Sequence, residues 1–254
     1  DGIAFDRDQL TAARGEHLVR ALDPRRAVQP WIVDDPCVAR YVQPQPGSRA
    51  GLRQLHVAES EKFSHITFFF NSGRNLPFSG EQDMRIPSLK GIPFEHAPGL
   101  SLEKVTETVL AGIKEGCDLI AANFANGDVI GHTSNNDAKI KCASIVDQHL
   151  GRVVKAALAA DYVVLVTADH GNLELMTNAD GTPHVAHTTN PVEFILMDPR
   201  LKSPLNLCDG KLADVAPTVL SALGLSQPES MTGGTLAPTH SWGGKRRVML
   251  IILD

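Results

Sequence analysis

What most constrains this chain is a set of short, nearly uninterrupted apolar runs, rich in β-branched and aromatic residues. They are His65–Phe70 (HITFFF), Leu119–Phe124 (LIAANF), Tyr162–Thr167 (YVVLVT), Glu193–Met197 (EFILM) and Val248–Leu253 (VMLIIL). A strand with one wet face alternates apolar and polar residues, so a run that is apolar throughout needs cover on both faces. Helical stripes lie between the runs. Leu102, Val105, Val109 and Ile113 form one, with Ser101 placed as N-cap and Gly116 just past the end. Ile140, Ala143, Val146, Leu150, Val153 and Leu158 form a longer one, and a third helix runs from about Asp214 to Leu223, with Pro217 in its first turn and Gly224 as its stop. Strands alternating with helices predict an α/β fold: a mostly parallel sheet flanked by helices on both faces. In such sheets ligands bind at the loops that follow the carboxyl ends of the strands.

Size and composition agree with that plan. The 254 residues, 43% of them apolar, suffice for one large domain, or one domain and a small attached piece. Two stretches stand apart: residues 1–55, richer in charge, Pro and Gly with one helical stretch near Gln9–Leu22, and residues 226–246, a linker of low hydrophobicity. There is no internal repeat. The formal charge of −5 offers no electrostatic case for nucleic acid or an anionic membrane. An anionic substrate stays open, because a local metal site overrules net charge. Cys37, Cys117, Cys142 and Cys208 form neither a C-x-x-C pair nor a disulfide framework and read as buried free thiols. The start, DGIAFDRDQL, does not read as a signal peptide, and the final apolar run is too short to span a bilayer. A cytoplasmic protein is expected.

The chemistry-bearing residues gather at the ends of the apolar runs. TADHGN (Thr167–Asn172) follows YVVLV and places Asp169 and His170 in one crevice. NFANGDVIGH (Asn123–His132) follows LIAAN; Asp128 and His132, four apart, share a face of a helical turn. A carboxylate and an imidazole on one face suit Zn²⁺ or Mn²⁺, although a solvated Asp and an ordinary loop His have the same spacing. PHVAHTTNP (Pro183–Pro191) precedes EFILM; of His184 and His187, one is a candidate ligand and the other a candidate orienting or capping group. Asp254 closes the run VMLIIL, either as a further ligand or as a carboxylate meeting solvent. Two divalent ions in such a crevice would hold a phosphoryl group in line for transfer, with a hydroxyl nucleophile activated by one of them.

These segments, together with LRQLHVAESEKFSHITFFFN and LADVAPTVLSALGL…MTGGTL, resemble cofactor-independent (2,3-bisphosphoglycerate-independent) phosphoglycerate mutase, of the alkaline phosphatase superfamily, over most of residues 52–236. The resemblance implies an alkaline-phosphatase-like fold. It implies interconversion of 3-phosphoglycerate and 2-phosphoglycerate in glycolysis through a phosphoserine. It also implies two divalent ions, Mn²⁺ first with Zn²⁺, Mg²⁺ or Co²⁺ as alternatives, and no 2,3-bisphosphoglycerate. By the same resemblance Asp128, His132 and His187 hold one ion, and Asp169 and His170 the other. Lys62, in SEKF, lies beside the phosphoryl group and stabilises its charge. The partners implied are a small phosphorylated substrate, no nucleic acid, no membrane and a monomeric state.

The chain also departs from the family pattern. There, a strand ending LIILD opens the protein and its Asp binds the second metal; here RRVMLIILD closes the sequence, so Asp254 maps onto that ligand. The resemblance thus implies a circularly permuted chain, or a fragment whose pieces stand out of the usual order. Nothing matches the family's serine motif, and Ser134, Ser144 and Ser221 are not in one. On this reading residues 1–50 are a remnant of the substrate domain, in which Arg14 of LTAARGEHLVRAL matches one substrate-binding arginine and Thr11 replaces another. Residues 51–254 are the metal-binding domain, with 237–246 a linker and 247–254 a core strand. Two other functions are weighed: a metal-dependent phosphatase or other phosphomutase on the same platform, and an inactive homologue.

Overall fold

The computed structural model describes residues 18–22, 46–202 and 205–254. In chain order the elements are β1 (Leu18–Leu22), α1 (Pro46–Arg49), β2 (Gln54–Glu59), α2 (Phe63–Ile66), β3 (Glu81–Ile86), α3 (Leu102–Glu115), β4 (Leu119–Phe124), α4 (Asn126–Gly131), α5 (Asn136–Ala159), β5 (Tyr162–Thr167), β6 (Val192–Met197), α6 (Val215–Ala222) and β7 (Arg247–Leu253). Single 3₁₀ turns occur at Phe94–His96 and Leu212–Asp214.

Among the described residues, seven strands form one sheet in the order β1-β6-β5-β7-β4-β2-β3. β5, β7, β4, β2 and β3 run parallel. β6 runs against both of its neighbours, β5 and β1. The strand closest to the C-terminus is therefore central, with Ile120 paired to Met249 on one side and Val164 paired to Met249 on the other.

Each apolar run divides its residues between the two faces. Val164, Val166, Met249 and Ile251 pack with Val105 and Val109 of α3 and Val146, Leu150 and Val153 of α5. Val163, Leu165, Val248, Leu250 and Ile252 pack with Val215, Val219 and Ala222 of α6 and with Leu236 and Trp242. The two-sided cover expected of continuous apolar strands is what the fold provides.

Several sequence-based expectations need correction. HITFFF is not a strand: it enters as α2 and continues as turns, with Phe69 N–H donating to Ser64 O and Asn71 N–H to Thr67 O. The strand is the preceding segment, QLHVAE, fully buried despite its Gln, His and Glu. Tertiary partners make that burial possible: Gln54 Nε2 donates to Ser48 Oγ (3.2 Å) and Glu59 Oε1 accepts from Ser101 N–H (2.9 Å). β3 (EQDMRI) has no apolar run because it is the edge strand and half open to water. Over Gln9–Leu22 the helical reading fails at Leu18–Leu22, which pair with β6 as a strand; its earlier residues, Arg14 among them, lie outside the described residues.

The helices follow their stripes, with differences at the edges. α3 starts after Ser101 and ends in Gly116, at φ 71°. The Ser101 hydroxyl does not cap α3; it donates to Pro87 O (2.9 Å). Ile140 is half exposed, outside the buried stripe of α5. The 226–246 segment is packed, not free: Leu236, Ala237, Trp242 and Arg246 are buried, and the Arg246 guanidinium pairs with Asp198 (2.7 and 2.9 Å). Cys117 and Cys142 are buried free thiols, but Cys208 is exposed; Cys37 lies outside the described residues.

Candidate metal centre

The carboxyl ends of β4, β5, β7 and β2 meet at one edge of the sheet, and the loops leaving them carry the polar side chains. β4 runs into α4, which presents Asp128, with His132 at its C-cap. β5 delivers Asp169 and His170, and β7 ends at Asp254, whose N–H donates to Phe124 O (3.1 Å). β2 leads through Glu59 into Lys62 and α2. Because β6 is reversed, the loop before its first residue reaches the same edge and brings His187. Small residues make the approach possible. A Cβ on Gly131 would strike the Asn172 side chain, and one on Gly127 would lie 2.9 Å from Asp254 O.

Two groups of donor atoms converge there, sharing Asp128. In the first, Asp128 Oδ1 lies 2.9 Å from His132 Nε2 and 2.7 Å from His187 Nε2, and the two Nε2 atoms are 3.1 Å apart. His132 Nδ1 is 2.9 Å from Val185 O. A carbonyl only accepts, so Nδ1 carries the hydrogen, and in the neutral ring the Nε2 lone pair faces the carboxylate oxygen. A cation between the two atoms, a proton or a metal ion, relieves the repulsion of those lone pairs. Ligands held about 2.0–2.1 Å from a tetrahedral ion stand about 3.3 Å apart, so this triad is slightly contracted around such a position.

In the second group, His170 Nε2 lies 3.8 Å from Asp128 Oδ1, 3.8 Å from Asp254 Oδ1 and 3.7 Å from Asp169 Oδ2. Asp169 Oδ1 and His170 Nδ1 are buried without a hydrogen-bond partner. The His170 and His187 rings stack at 3.7 Å between centroids. Asp254 is buried, and its Oδ2 accepts from Asn123 Nδ2 (2.7 Å). It is thus not a carboxylate meeting solvent, the alternative that the sequence left open.

Charge indicates what the site would hold. Three carboxylates gather around one ammonium, that of Lys62, whose Nζ lies 2.7 Å from both Asp128 Oδ2 and Asp254 Oδ1. Lys62 is buried, not a surface lysine. Burial works against its charge, but Asp254 and Asp128 outweigh that and raise its pKa. Burial also opposes ionisation of Asp128, yet the hydrogen bond and charge of Lys62, joined by His187 and His132, hold its carboxyl well below the usual range. Asp169 takes no hydrogen bond from Lys62: burial and the neighbouring Asp254 charge outweigh the Lys62 charge and push it up to about 7. An excess of buried negative charge with orphaned oxygens and imidazole nitrogens is the donor set of a divalent-cation site.

Asp128, His132, His187, His170, Asp254, Asp169 and Lys62 are all brought together. His184 is not in the cluster; its carbonyl accepts from the buried Lys139 Nζ (2.5 Å). Three supporting residues escaped the sequence reading. Asn123 orients Asp254. Glu174 accepts from Asn172 N–H (2.6 Å), Asn190 Nδ2 (2.9 Å) and the Thr188 hydroxyl, binding the TADHGN loop to the HTTNP loop. His65, on α2, joins Lys62, Glu61, Phe94, Asp128 and His132 in lining an open pocket of about 430 Å³ beside the cluster. Their one sequence signal was position, within or next to the ligand-bearing segments.

Comparison with known proteins agrees with this chemistry. Over 185 residues the chain is 45% identical to 2,3-bisphosphoglycerate-independent phosphoglycerate mutase of Flavobacterium johnsoniae, covering 72% of this chain and 36% of that protein. The same-named protein of Syntrophotalea carbinolica is 48% identical over 191 residues, 74% of this chain and 37% of its own length. That of Gloeothece citriformis is 42% identical over 222 residues, 84% and 41%. The chain therefore spans little more than a third of the length of most of these relatives. A crystal structure of Leishmania mexicana phosphoglycerate mutase at low cobalt concentration superposes with a TM-score of 0.68 at 27% identity, over 74% of this chain and 38% of that one. The sequence model of the metalloenzyme superfamily matches residues 38–227, three-quarters of the chain. By that match, and by a donor cluster suited to divalent cations, the chain belongs to the metalloenzyme superfamily.

Proposed function

We propose that this chain is the metal-binding part of a phosphoglycerate mutase that interconverts 3-phosphoglycerate and 2-phosphoglycerate without 2,3-bisphosphoglycerate. The observation that carries the reading is the shared edge cluster: Asp128 reaches His132 and His187 through one oxygen and Lys62 through the other, with His170 and Asp254 alongside. Identity of 42–48% to proteins of that name supports it.

Asp128, His132 and His187 would hold one ion, and Asp169, His170 and Asp254 the other. Mn²⁺ fits mixed imidazole and carboxylate donors, as do Zn²⁺ and Co²⁺. Bound there, the ions would polarise phosphoryl oxygens and lower the pKa of a hydroxyl nucleophile. The chain's own groups do the rest. Lys62 Nζ lies between the two carboxylates at the cluster's open side, where its ammonium would neutralise charge on a transferring phosphoryl group. The Val185 carbonyl holds His132 in the tautomer that leaves Nε2 free to ligate, and Asn123 fixes Asp254. Residues 51–254 would form the metal-binding domain, and Arg14, outside the described residues, would contribute to substrate binding. Among the described residues no helix is long and apolar enough to cross a membrane, and we place the protein in the cytoplasm as a monomer.

The test is a coupled assay of 3-phosphoglycerate to 2-phosphoglycerate conversion by the intact protein loaded with Mn²⁺, with no 2,3-bisphosphoglycerate added. Conversion without phosphate release supports the mutase reading. Phosphate release alone moves the protein to the phosphatases, and a metal-loaded protein that does neither ends both readings.

A further inference from the structure

A second group of ionisable side chains lies inside the β2–β3 edge of the sheet. His56 and Asp83 are register partners on adjacent strands, and Glu81, two residues before Asp83, points to the same face. His56 lies three residues before the end of β2, about 10 Å down the strand from the edge that carries the metal centre.

His56 is fully buried, and neither ring nitrogen has a hydrogen-bond partner. Its Nδ1 nevertheless lies 3.2 Å from Glu81 Oε1 and 3.5 Å from Asp83 Oδ1. The Asp83 oxygen is also buried and unpartnered. The three ligand atoms lie within 4.8 Å of one another. Neighbours hold the group in place. Asn71 Nδ2 donates to Glu81 Oε1 (2.5 Å), Phe78 N–H donates to Oε2 (3.0 Å), and the Phe70 ring stands edge-on to His56 at 5.2 Å.

The spacing is informative. Nitrogen and oxygen ligands about 2.0–2.2 Å from a tetrahedral Zn²⁺ stand about 3.3–3.5 Å apart, which matches the two separations from Nδ1. The electrostatics point the same way: burial and the charge of Glu81 push Asp83 up to about 6, as expected where two carboxylates share a dry space.

We propose that His56 Nδ1, Glu81 Oε1 and Asp83 Oδ1 bind a divalent cation, Zn²⁺ by its donor set, in a site separate from the edge cluster. The ion fastens the edge strand β3 to β2. It enters past Asp83, whose side chain is the most exposed of the three. Its role is structural, because the imidazole and Glu81 are closed off from any substrate.

Elemental analysis of the full protein, stripped with chelator, reloaded with Zn²⁺ and dialysed, tests this. Wild type is expected to keep one more Zn²⁺ per chain than His56→Gln or Asp83→Asn. An Asp128→Asn, His187→Ala protein is expected to keep this ion and its Zn²⁺-dependent rise in melting temperature, and to lose both when His56→Gln is added. If His56→Gln does not fold, Asp83→Asn, at the more open position, decides. Equal Zn²⁺ in wild type and the folded variants overturns the proposal, as does a zinc-free protein whose His56 carries an imidazolium signal at pH 8. Failure of the edge cluster reads out separately, as no change in Zn²⁺ on Asp128→Asn, His187→Ala substitution.

Discussion

The two clusters use the same residue types and differ in access. At the edge, the His132 and His187 side chains are 46% and 47% exposed. At the β2–β3 pair, His56 is 0% exposed. The edge cluster sits on loops that follow strand ends and opens into a pocket that also holds Lys62 and His65. The inner cluster sits within strands and is walled by Phe70, Asn71 and Phe78. Similar donors thus suit different work: an open centre keeps coordination positions for substrate, and a closed one gains only the stability of the fold. Sharing differs as well. Asp128 lies within reach of His170 as well as of His132 and His187, so a change there acts on both donor groups, while the inner site would stand alone.

The largest expected effect breaks the comparison at that shared residue. Asp128→Asn removes charge from both donor groups at once. The mutase activity proposed for the intact protein should fall by at least about 10³-fold, with loss of edge-bound divalent metal by elemental analysis. Retention of full activity and metal would remove the edge cluster from the mechanism. Lys62→Met separates charge stabilisation from metal holding. It is expected to lower kcat by about 10²–10³-fold while metal content stays near wild type, since Lys62 is not a ligand. A parallel loss of metal would instead make it a residue that assembles the site.

A smaller effect tests the support of the edge. Asn123→Ala leaves Asp254 Oδ2 without its donor and should weaken metal affinity by about 10–100-fold, measured by competition with a chelator. Unchanged affinity would show that packing alone holds Asp254.

The smallest effect concerns the strand that links the two clusters. Glu59 ends β2, and burial raises its carboxyl to about 7 from an unperturbed 4.5, despite the Ser101 N–H it accepts. A pKa raised on folding favours the folded state below about pH 4.5, and that contribution is lost as pH rises through about 7. Glu59→Gln removes the titration. It should raise stability at pH 8 by about 1–2 kcal/mol and leave it unchanged at pH 4.5, as read from urea midpoints at both values. An equal gain at both pH values would assign the effect to packing.

Much of the edge cluster was legible because its candidate donors come in short local words. Asp128 and His132 share one helical turn, and Asp169 and His170 are adjacent, each word directly after an apolar strand. The central strands were legible for the same reason, since burial on two faces leaves an apolar run that needs no partner to be recognised. The misses have one cause. QLHVAE is buried with three polar side chains whose partners, Ser48, Ser101 and the β3 carboxylates, all lie on other elements. HITFFF is apolar because Ile66 packs into the core and Phe70 stands against His56, roles with no periodicity of their own. The inner cluster could not be read either, because His56 meets Glu81 and Asp83 only through a strand pairing that the sequence does not spell out.

The sequence by itself determined the α/β class, the central strands, the three helical stripes and the acid–imidazole pairs Asp128–His132 and Asp169–His170 as candidate donors at strand ends. These follow from local patterns: apolar continuity, helical spacing, and acid–imidazole pairs at strand ends. Only the tertiary structure decided the rest. It put the C-terminal strand between β4 and β5, so that Asp254 comes within reach of Lys62 and His170. It reversed β6, so that His187, not His184, reaches Asp128. Those outcomes depend on strand order and direction, which are set by how two faces of one sheet are covered at once, and no single segment carries that information.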